Sequence, residues 1–339
     1  MKVFVTGGAG YLGSTLVPLL LDEGHEVTVL DRFFFGDATL PPESEGRRLH
    51  RIRGDIRWCD GKVIDGHDAV IDMAALSNDP AGALDPWKTY EINYLGRSRI
   101  ARLAREAKVR RYVATSSCSI YGFQEGMLTE TSTPNPLTAY ARANVLVEED
   151  NLPLASEDFC VTAVRFATLY GLSPRMRFDL AINGMVAGAV RTGKLPVMRD
   201  GNQWRPFLHV RDAALAIMDV LKAPTDRVTG QVFNVGSDDQ NFQIRPLADM
   251  VASAMSRPPA VEWYGDPDAR SYRVSFAKAR RVLSFEPRLR PSDAVREIEK
   301  ALADRSVTES PQTNTVGWYK HLLSTPSEGE RVALQGTIL

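Results

Sequence analysis

Apolar residues in this chain recur with two periods. Short runs rich in β-branched residues, at Lys2–Thr6, Val27–Leu30, His50–Arg53, Asp68–Ala75, Arg111–Ser116 and Val161–Phe166, read as strands. Asp68–Ala75 (DAVIDMAA) is apolar almost throughout, as a strand buried on both faces of a parallel sheet must be. Longer stretches of helical period separate these runs. The first is Leu-rich, closes at Gly24 and contains Pro18, where the missing N–H predicts a kink. Asp85–Ala107 reads as a long helix with Asp85 as N-cap and Pro86 at its first position. Asn93 sits among its apolar neighbours and predicts a tie from helix to sheet, because a buried amide needs partners. Another helix opens at Tyr140 and runs to about Asp150.

This alternation predicts an α/β fold built on a doubly wound parallel sheet. From about residue 171 the alternation degrades and prolines and arginines gather, which predicts a smaller C-terminal lobe. Arg211–Leu221 still reads as a helix and Gln231–Val235 as a strand, both returning to the main layer, with His209 as a structural residue at the helix entry. Residues 33–50 form a loop marked by Gly36, Pro41, Pro42 and Gly46, with Phe33–Phe35 as packing residues. Residues 306–315 and 324–339 are polar or short-patterned and predict a loosely held end.

The first strand runs into Gly7, Gly10 and Gly13, spaced G-x-x-G-x-x-G, and the second ends on Asp31. Strand, glycine turn, helix, strand and terminal carboxylate together make a dinucleotide-binding unit. The turn must let a pyrophosphate approach the N–H groups at the helix start, and a side chain there would hold it away. Asp31 would accept hydrogen bonds from a ribose and repel a 2′-phosphate, favouring NAD over NADP. Arg32 blurs that preference. Asp55, after the third strand, either reaches an adenine amino group or caps a helix. Ala74 and Ala75 end the fourth strand with side chains small enough for a cofactor to lie across them. Ser116, Ser117, Cys118 and Ser119 follow the fifth, at the carboxyl edge where sites of open α/β sheets form.

The 339 residues are 44% hydrophobic and 24% charged, with a net charge of −1. Nothing in that balance argues for nucleic acid or an anionic membrane as partner. No apolar run approaches a membrane span, and the first residue leads straight into a core strand, which predicts a cytoplasmic protein without a leader. Cys59, Cys118 and Cys160 lie far apart without metal-ligand spacing, so no metal is expected.

With TGGAGYLG at 6–13, LD at 30–31, GDI at 54–56, SSCSIYG at 116–122, the Tyr140 helix and RPFLHVRD at 205–212, the chain resembles an extended short-chain dehydrogenase/reductase of the NAD-dependent nucleotide-sugar epimerase/dehydratase type. The resemblance implies a Rossmann-type domain over residues 1–170, with elements from 205–240 returning to it. Residues 171–204 and 241–310 then form the substrate-binding lobe, and 311–339 a tail. It implies cofactor contacts from Gly7, Gly10, Tyr11, Leu12, Gly13, Asp31, Arg32, Asp55, Ile56, Ala74, Ala75, Tyr140 and Asn144. For the nucleotide sugar it implies Ser77, Ser117, Cys118, Ser119, Arg177, Asn183, Arg205 and Arg270, the arginines suiting phosphate through their planar fork. It also implies a homodimer joined through the helices at 85–107 and 140–150.

In that family a tyrosine deprotonates the sugar hydroxyl, a serine orients it, and a lysine four residues after the tyrosine lowers the phenol's pKa and grips the nicotinamide ribose. Tyr140 and Ser117 match. The lysine position holds Asn144, in the run Tyr140-Ala141-Arg142-Ala143-Asn144, and an amide carries no charge to stabilise a phenolate. Arg142 projects from another helix face. Three readings follow: an epimerase drawing charge from the oxidised nicotinamide, a ketoreductase in which Tyr140 acts as acid, or a catalytically impaired dinucleotide-binding protein. Restoring a lysine at Asn144 is expected to raise activity. Cys118 and Ser119 stand where dehydratases of the family carry an acidic pair, which argues against dehydration. NAD-dependent epimerisation of a nucleotide sugar through a transient ketone is the first expectation.

Overall fold

The computed structural model describes residues 1–42 and 48–339. The expectation for Gly46 lies outside them. Seven strands form one parallel sheet in the spatial order Gln231–Val235, Cys160–Phe166, Arg111–Ser117, Ala69–Asp72, Lys2–Thr6, Glu26–Asp31, Leu49–Arg53. Chain order reverses at Lys2–Thr6, so its carboxyl end opens a crevice, the place where such sheets bind ligands. The α/β doubly wound fold is therefore as the alternation predicts. Cys160–Phe166 is buried at every position, the mark of a strand covered on both faces. No helix among the described residues is long and apolar enough to cross a membrane.

Two elements differ from their expected bounds for local reasons. The fourth strand stops at Asp72 instead of Ala75. The Thr6 hydroxyl takes the next amides, Met73 N–H at 3.0 Å and Ala74 N–H at 3.1 Å, and turns the chain under the glycine loop. The long helix begins as predicted, with Asp85 accepting from the Lys88 amide at 3.0 Å. It then passes through a π turn at Glu91–Gly96 before resuming as Arg97–Glu106. Such turns re-aim side chains and occur often at functional sites. Here the Asn93 amide clamps both backbone groups of Leu76, at 2.8 and 3.1 Å, so the tie expected to the sheet runs instead to the loop beyond the strand end. Pro18 lies inside the helix Gly13–Asp22 without ending it.

The smaller layer is built on a second sheet. Trp204–His209 pairs parallel to Thr168–Tyr170 and antiparallel to Asn241–Gln243. His209 caps the helix Val210–Lys222 by accepting from the Arg211 amide at 3.2 Å, and its other ring nitrogen meets Glu297 at 2.7 Å.

The end of the chain corrects the expectation of a loose tail. Thr315–Ser324 and Pro326–Val332 are helices. Trp318, Tyr319, Leu322 and Leu339 bury themselves against Phe34, Phe35, Leu76 and Ala81, forming their own apolar cluster beside the crevice. The Trp318 indole donates to the Phe34 carbonyl at 2.7 Å. The Arg32 guanidinium donates to the carbonyls of Val332, Thr337 and Ile338, each at 3.0 Å. A short-patterned segment reads as loose when its partners, Phe34 and Phe35 in a distant loop, are not part of the pattern.

Candidate active site

One continuous cavity of about 470 Å³ runs along the carboxyl edge of the sheet, from the glycine loop to the smaller layer. Its floor at one end is the turn after Lys2–Thr6. Gly7 has φ +70°, and a Cβ there would lie 2.8 Å from the Ala74 backbone. A Cβ on Gly13 would meet the Gly8 carbonyl oxygen at 2.5 Å. Both positions therefore require glycine, and the bare backbone leaves the start of the helix open to the cavity. Asp31 accepts from the Ala9 amide at 2.9 Å and the Phe33 amide at 2.8 Å while lining the cavity. Burial raises its carboxyl pKa above the ordinary range, although these amides and Arg175 oppose the rise. A buried carboxylate of this kind gains from the extra donors a ribose would bring.

Arg175 lies behind the glycine loop, where its amide donates to Ser14 Oγ at 3.2 Å. Its guanidinium stacks 3.5 Å from the Phe35 ring centroid, donates to Thr315 Oγ1 at 2.9 Å, and leaves Nε unpartnered. It is 4% exposed and has no ion pair among the described residues. Burial pushes its pKa down to about 9. Arg175 does not line the cavity: it backs the glycine loop and the Phe35 ring from behind the wall.

Arg32 lines the cavity with its guanidinium already engaged. Beyond its three carbonyls it donates to Asp55 Oδ2 at 2.6 Å, so its fork is engaged. Asp55 is enclosed as well, its Oδ1 taking the Arg57 amide at 2.9 Å and Nε at 3.0 Å. Burial alone would raise the Asp55 carboxyl, but Arg57 and Arg32 hold it below the usual range. Asp55 caps the turn that follows it and lines the cavity together with Ile56.

At the centre Ser117 ends the strand Arg111–Ser117, and Thr138 caps the helix Ala139–Asn151 that begins beside Tyr140. Ser117, Tyr140 and Asn144 all line the cavity. The Ser117 hydroxyl accepts from the Ser119 amide at 3.1 Å, which fixes its orientation. Burial raises the Tyr140 phenol pKa, and the Asp79 carboxylate adds to the rise; Ser117, Asn144 and Arg97 pull it down.

Arg97 is the residue that sequence reasoning missed. It is 1% exposed and reaches the cavity wall from beneath the sheet. Nε donates to Asp72 Oδ2 at 2.8 Å, Nη2 to the carbonyls of Asp72 and Thr115 at 3.2 and 2.5 Å, and Nη1 to Asn144 Oδ1 at 3.3 Å. The signal was present: Arg97 shares a helical stripe with Ile100, Ala101 and Ala104, all buried. An arginine on an apolar stripe needs a buried partner.

Toward the smaller layer, Ser77 and Ser119 line the cavity, and Ser119 Oγ is buried without a partner. Arg177 donates to the Ser77 carbonyl at 3.0 Å and pairs with Asp179 at 2.8 Å. Arg205 and Arg270 flank Asp268, at 2.8 and 2.7 Å, and Arg270 also meets Asp79. Against the rise that burial alone would bring, these two arginines hold the Asp268 carboxyl down to about 2. Two residues expected at the substrate lie off the cavity wall. Cys118 is 1% exposed in the main core, with its thiol pushed well up by burial. Asn183 is fully buried, accepting from the Gly171 amide at 2.8 Å and donating to the Tyr11 hydroxyl at 3.1 Å and the Arg177 carbonyl at 2.9 Å. It positions Tyr11 and the turn at Gly171 from behind the wall.

Comparison with known proteins bears on this geometry. Residues 3–236 match the model of the NAD dependent epimerase/dehydratase family. A UDP-glucose 4-epimerase of Mycolicibacterium smegmatis is 28% identical over 316 residues, covering 90% of this chain and 100% of the relative. A dTDP-glucose 4,6-dehydratase of Streptomyces niveus is 28% identical over 329 residues, covering 92% and 95%. Among solved structures, MoeE5 in complex with UDP-glucuronic acid and NAD superposes with a TM-score of 0.79 at 28% identity, over 91% of this chain and 100% of that one.

Proposed function

The chain belongs to the NAD dependent epimerase/dehydratase family, and on that premise we propose that it is an NAD-dependent enzyme that epimerises a nucleotide-activated sugar through a transient ketone. The observation that carries the reading is a single cavity holding the glycine cradle and Asp31 at one end, Ser117 and Tyr140 at its centre, and Arg205 and Arg270 at the other. Reversible hydride chemistry at the sugar carbon is what NAD bound there would supply. Gly7, Gly10 and Gly13 suit the cofactor's diphosphate, Asp31 its adenosine ribose, and Asn144 its second ribose. Asp31, with Arg32 already engaged, supports NAD over NADP.

Tyr140 takes the sugar hydroxyl proton as that carbon is oxidised and gives it back on reduction. Ser117 accepts or donates at the same oxygen and holds it near the phenol. The arginines at the far end hold the diphosphate while the ketone turns its other face. Cys118 and Ser119 offer no carboxyl acid to expel water, which supports epimerisation over dehydration. The proposal includes a cytoplasmic homodimer. Trp87 and Leu95, 81% and 56% exposed on the helix that starts at Pro86, support the pairing surface.

The raised phenol pKa of Tyr140 favours a second reading, an NAD(P)H-dependent ketoreductase on a nucleotide sugar or small carbonyl, since a protonated tyrosine is the acid that ketone reduction needs. The discriminating experiment denatures the purified protein, identifies any released nucleotide, and then supplies UDP- and dTDP-hexoses labelled with deuterium at the carbinol carbon. Epimerisation gives near-stoichiometric bound NAD and an epimer that keeps its deuterium. A reductase gives an empty site and consumes reduced cofactor mole for mole.

A further inference from the structure

We propose that Arg97 and Asn144 divide between them the work of the missing lysine, Arg97 supplying the buried positive charge beside Tyr140 and Asn144 the hydrogen-bonding arm toward the ribose. This rests on the reading of Tyr140 as the group that moves the proton.

The geometry is a relay of fixed groups. Arg97 Nη1 holds Asn144 Oδ1 at 3.3 Å, and Asn144 Nδ2 donates to the Tyr140 carbonyl at 3.2 Å. The amide is thus tied at one end to the cation and at the other to the helical turn that carries the phenol. A lysine at 144 would bring a charge on a flexible stem; Asn144 brings none, and the charge comes from another helix.

Arg97 is oriented for this by everything behind it. Nε and Nη2 are spent on Asp72 and two carbonyls, so Nη1 is the face presented to Asn144 and the cavity. Asp72 disperses its own charge, its two oxygens also taking the Thr6 hydroxyl at 2.6 Å and the Tyr112 hydroxyl at 2.8 Å. A buried arginine without such a partner would cost several kcal/mol, on the order of breaking a buried pair. The π turn at Glu91–Gly96 places Asn93 and Arg97 one turn apart, so that one grips Leu76 on the cavity wall and the other Asp72 at the end of the strand beneath it. This is an expensive arrangement for a residue with no task in the cavity.

Asp79 and Arg97 line the same cavity as the Tyr140 phenol, Asp79 raising its pKa and Arg97 lowering it. Asp79 is itself engaged by Arg270 and by the Thr138 hydroxyl at 2.5 Å, which blunts its repulsion of a phenolate. Arg97 opposes the rise directly. One consequence reverses the expectation drawn from sequence: Asn144→Lys would set an ammonium against the Arg97 guanidinium in a buried space. It would weaken the fold rather than restore activity.

The test titrates the Tyr140 phenol by ultraviolet difference absorbance in the NAD-loaded protein, using Tyr140→Phe as the blank. The charge-balanced double variant Arg97→Gln/Asp72→Asn avoids an orphaned carboxylate. It is expected to raise the apparent pKa by about one unit or more, a tenfold loss of phenolate at a given pH. Arg97→Lys is expected to keep most of the wild-type value. An unmoved phenol in a folded, NAD-binding double variant overturns the proposal. If that variant does not fold, Asn144→Lys decides: lower thermal stability without faster turnover supports Arg97 as the charge, and a lower phenol pKa with faster turnover overturns it. The titration needs no sugar, so a protein inert to every nucleotide sugar can still show an Arg97-dependent phenol, and the two readings fail separately.

Discussion

Replacing Arg32 by methionine should free the C-terminal arm without unfolding the sheet. The Arg32 Nη2 group faces three carbonyls at 3.0 Å with two hydrogens, so about two full bonds are at stake. Hydrogen bonds to a charged group contribute roughly 1.5–3 kcal/mol each. The freed carbonyls regain water, which offsets part of the loss and leaves about 3 kcal/mol holding the arm. Asp55 does not become an orphan, because Arg57 still pairs with it at 2.8 Å. The loss therefore falls on the arm and not on the Rossmann layer. In hydrogen–deuterium exchange, amides of Pro326–Val332 and the following residues should exchange about a hundredfold faster, since 1.4 kcal/mol is a factor of ten. Amides of Lys2–Thr6 and Cys160–Phe166 should keep their protection. Dinucleotide affinity should fall as well, because Tyr319, Phe34 and Phe35 all line the cavity and belong to the cluster the arm completes. Unchanged exchange in the arm of Arg32→Met would refute the reasoning, and so would a uniform loss of protection across the sheet.

Tyr140→Phe should lower turnover by at least about a hundredfold, the usual span of a lost acid–base group, while NAD binding measured by calorimetry stays near wild type. Asp31→Ser should raise the use of NADP relative to NAD, whereas Arg32→Met should leave that ratio alone, because the fork of Arg32 is already filled; comparing kcat/KM for the two cofactors checks both. The buried phenols of Tyr140 and Tyr319, the latter pushed up to about 12 by burial, keep their protons in the folded state above the pH at which the unfolded chain loses them. Their contribution to stability is therefore complete below about pH 10 and is lost as pH rises beyond it, which urea unfolding at stepped pH would show.

The parts of the site that were legible in the sequence are those where one short segment does the whole job. The cradle needs Gly7 and Gly13 within a few residues of the strand that aims them, and Asp31 needs only to end the next strand. Ser117 and Tyr140 sit at a strand end and a helix start, places that local period locates well. What was not legible depends on partners far along the chain. Asn183 was expected at the substrate on the family resemblance, yet its donors and acceptor are all taken by Tyr11, Gly171 and Arg177, which no local pattern brings together. The end of the chain looked loose because residues 306–315 and 324–339 are polar or short-patterned, and the surface it packs on includes Phe34 and Phe35 in a distant loop.

Asn144 is the sharpest case of that difference. Read along the helix, the absence of a lysine four residues after Tyr140 is a loss of charge, and the enzyme looks crippled. Read across the fold, the strand ending at Asp72 and the helix beginning at Arg97 put a guanidinium within hydrogen-bonding distance of the same amide. An arginine could not take this place by itself, since its burial requires the Asp72 carboxylate, and Asp72 in turn requires the Thr6 and Tyr112 hydroxyls. The charge is thus a property of four elements together. A cation held in this way has little freedom to leave the phenol, unlike a lysine on a four-carbon stem. The trade is that Arg97 reaches the ribose only through Asn144. Proton transfer and cofactor grip, coupled in one lysine elsewhere in the family, are here carried by separate side chains, and substitutions at 97 and 144 should move the pH profile and the cofactor KM independently.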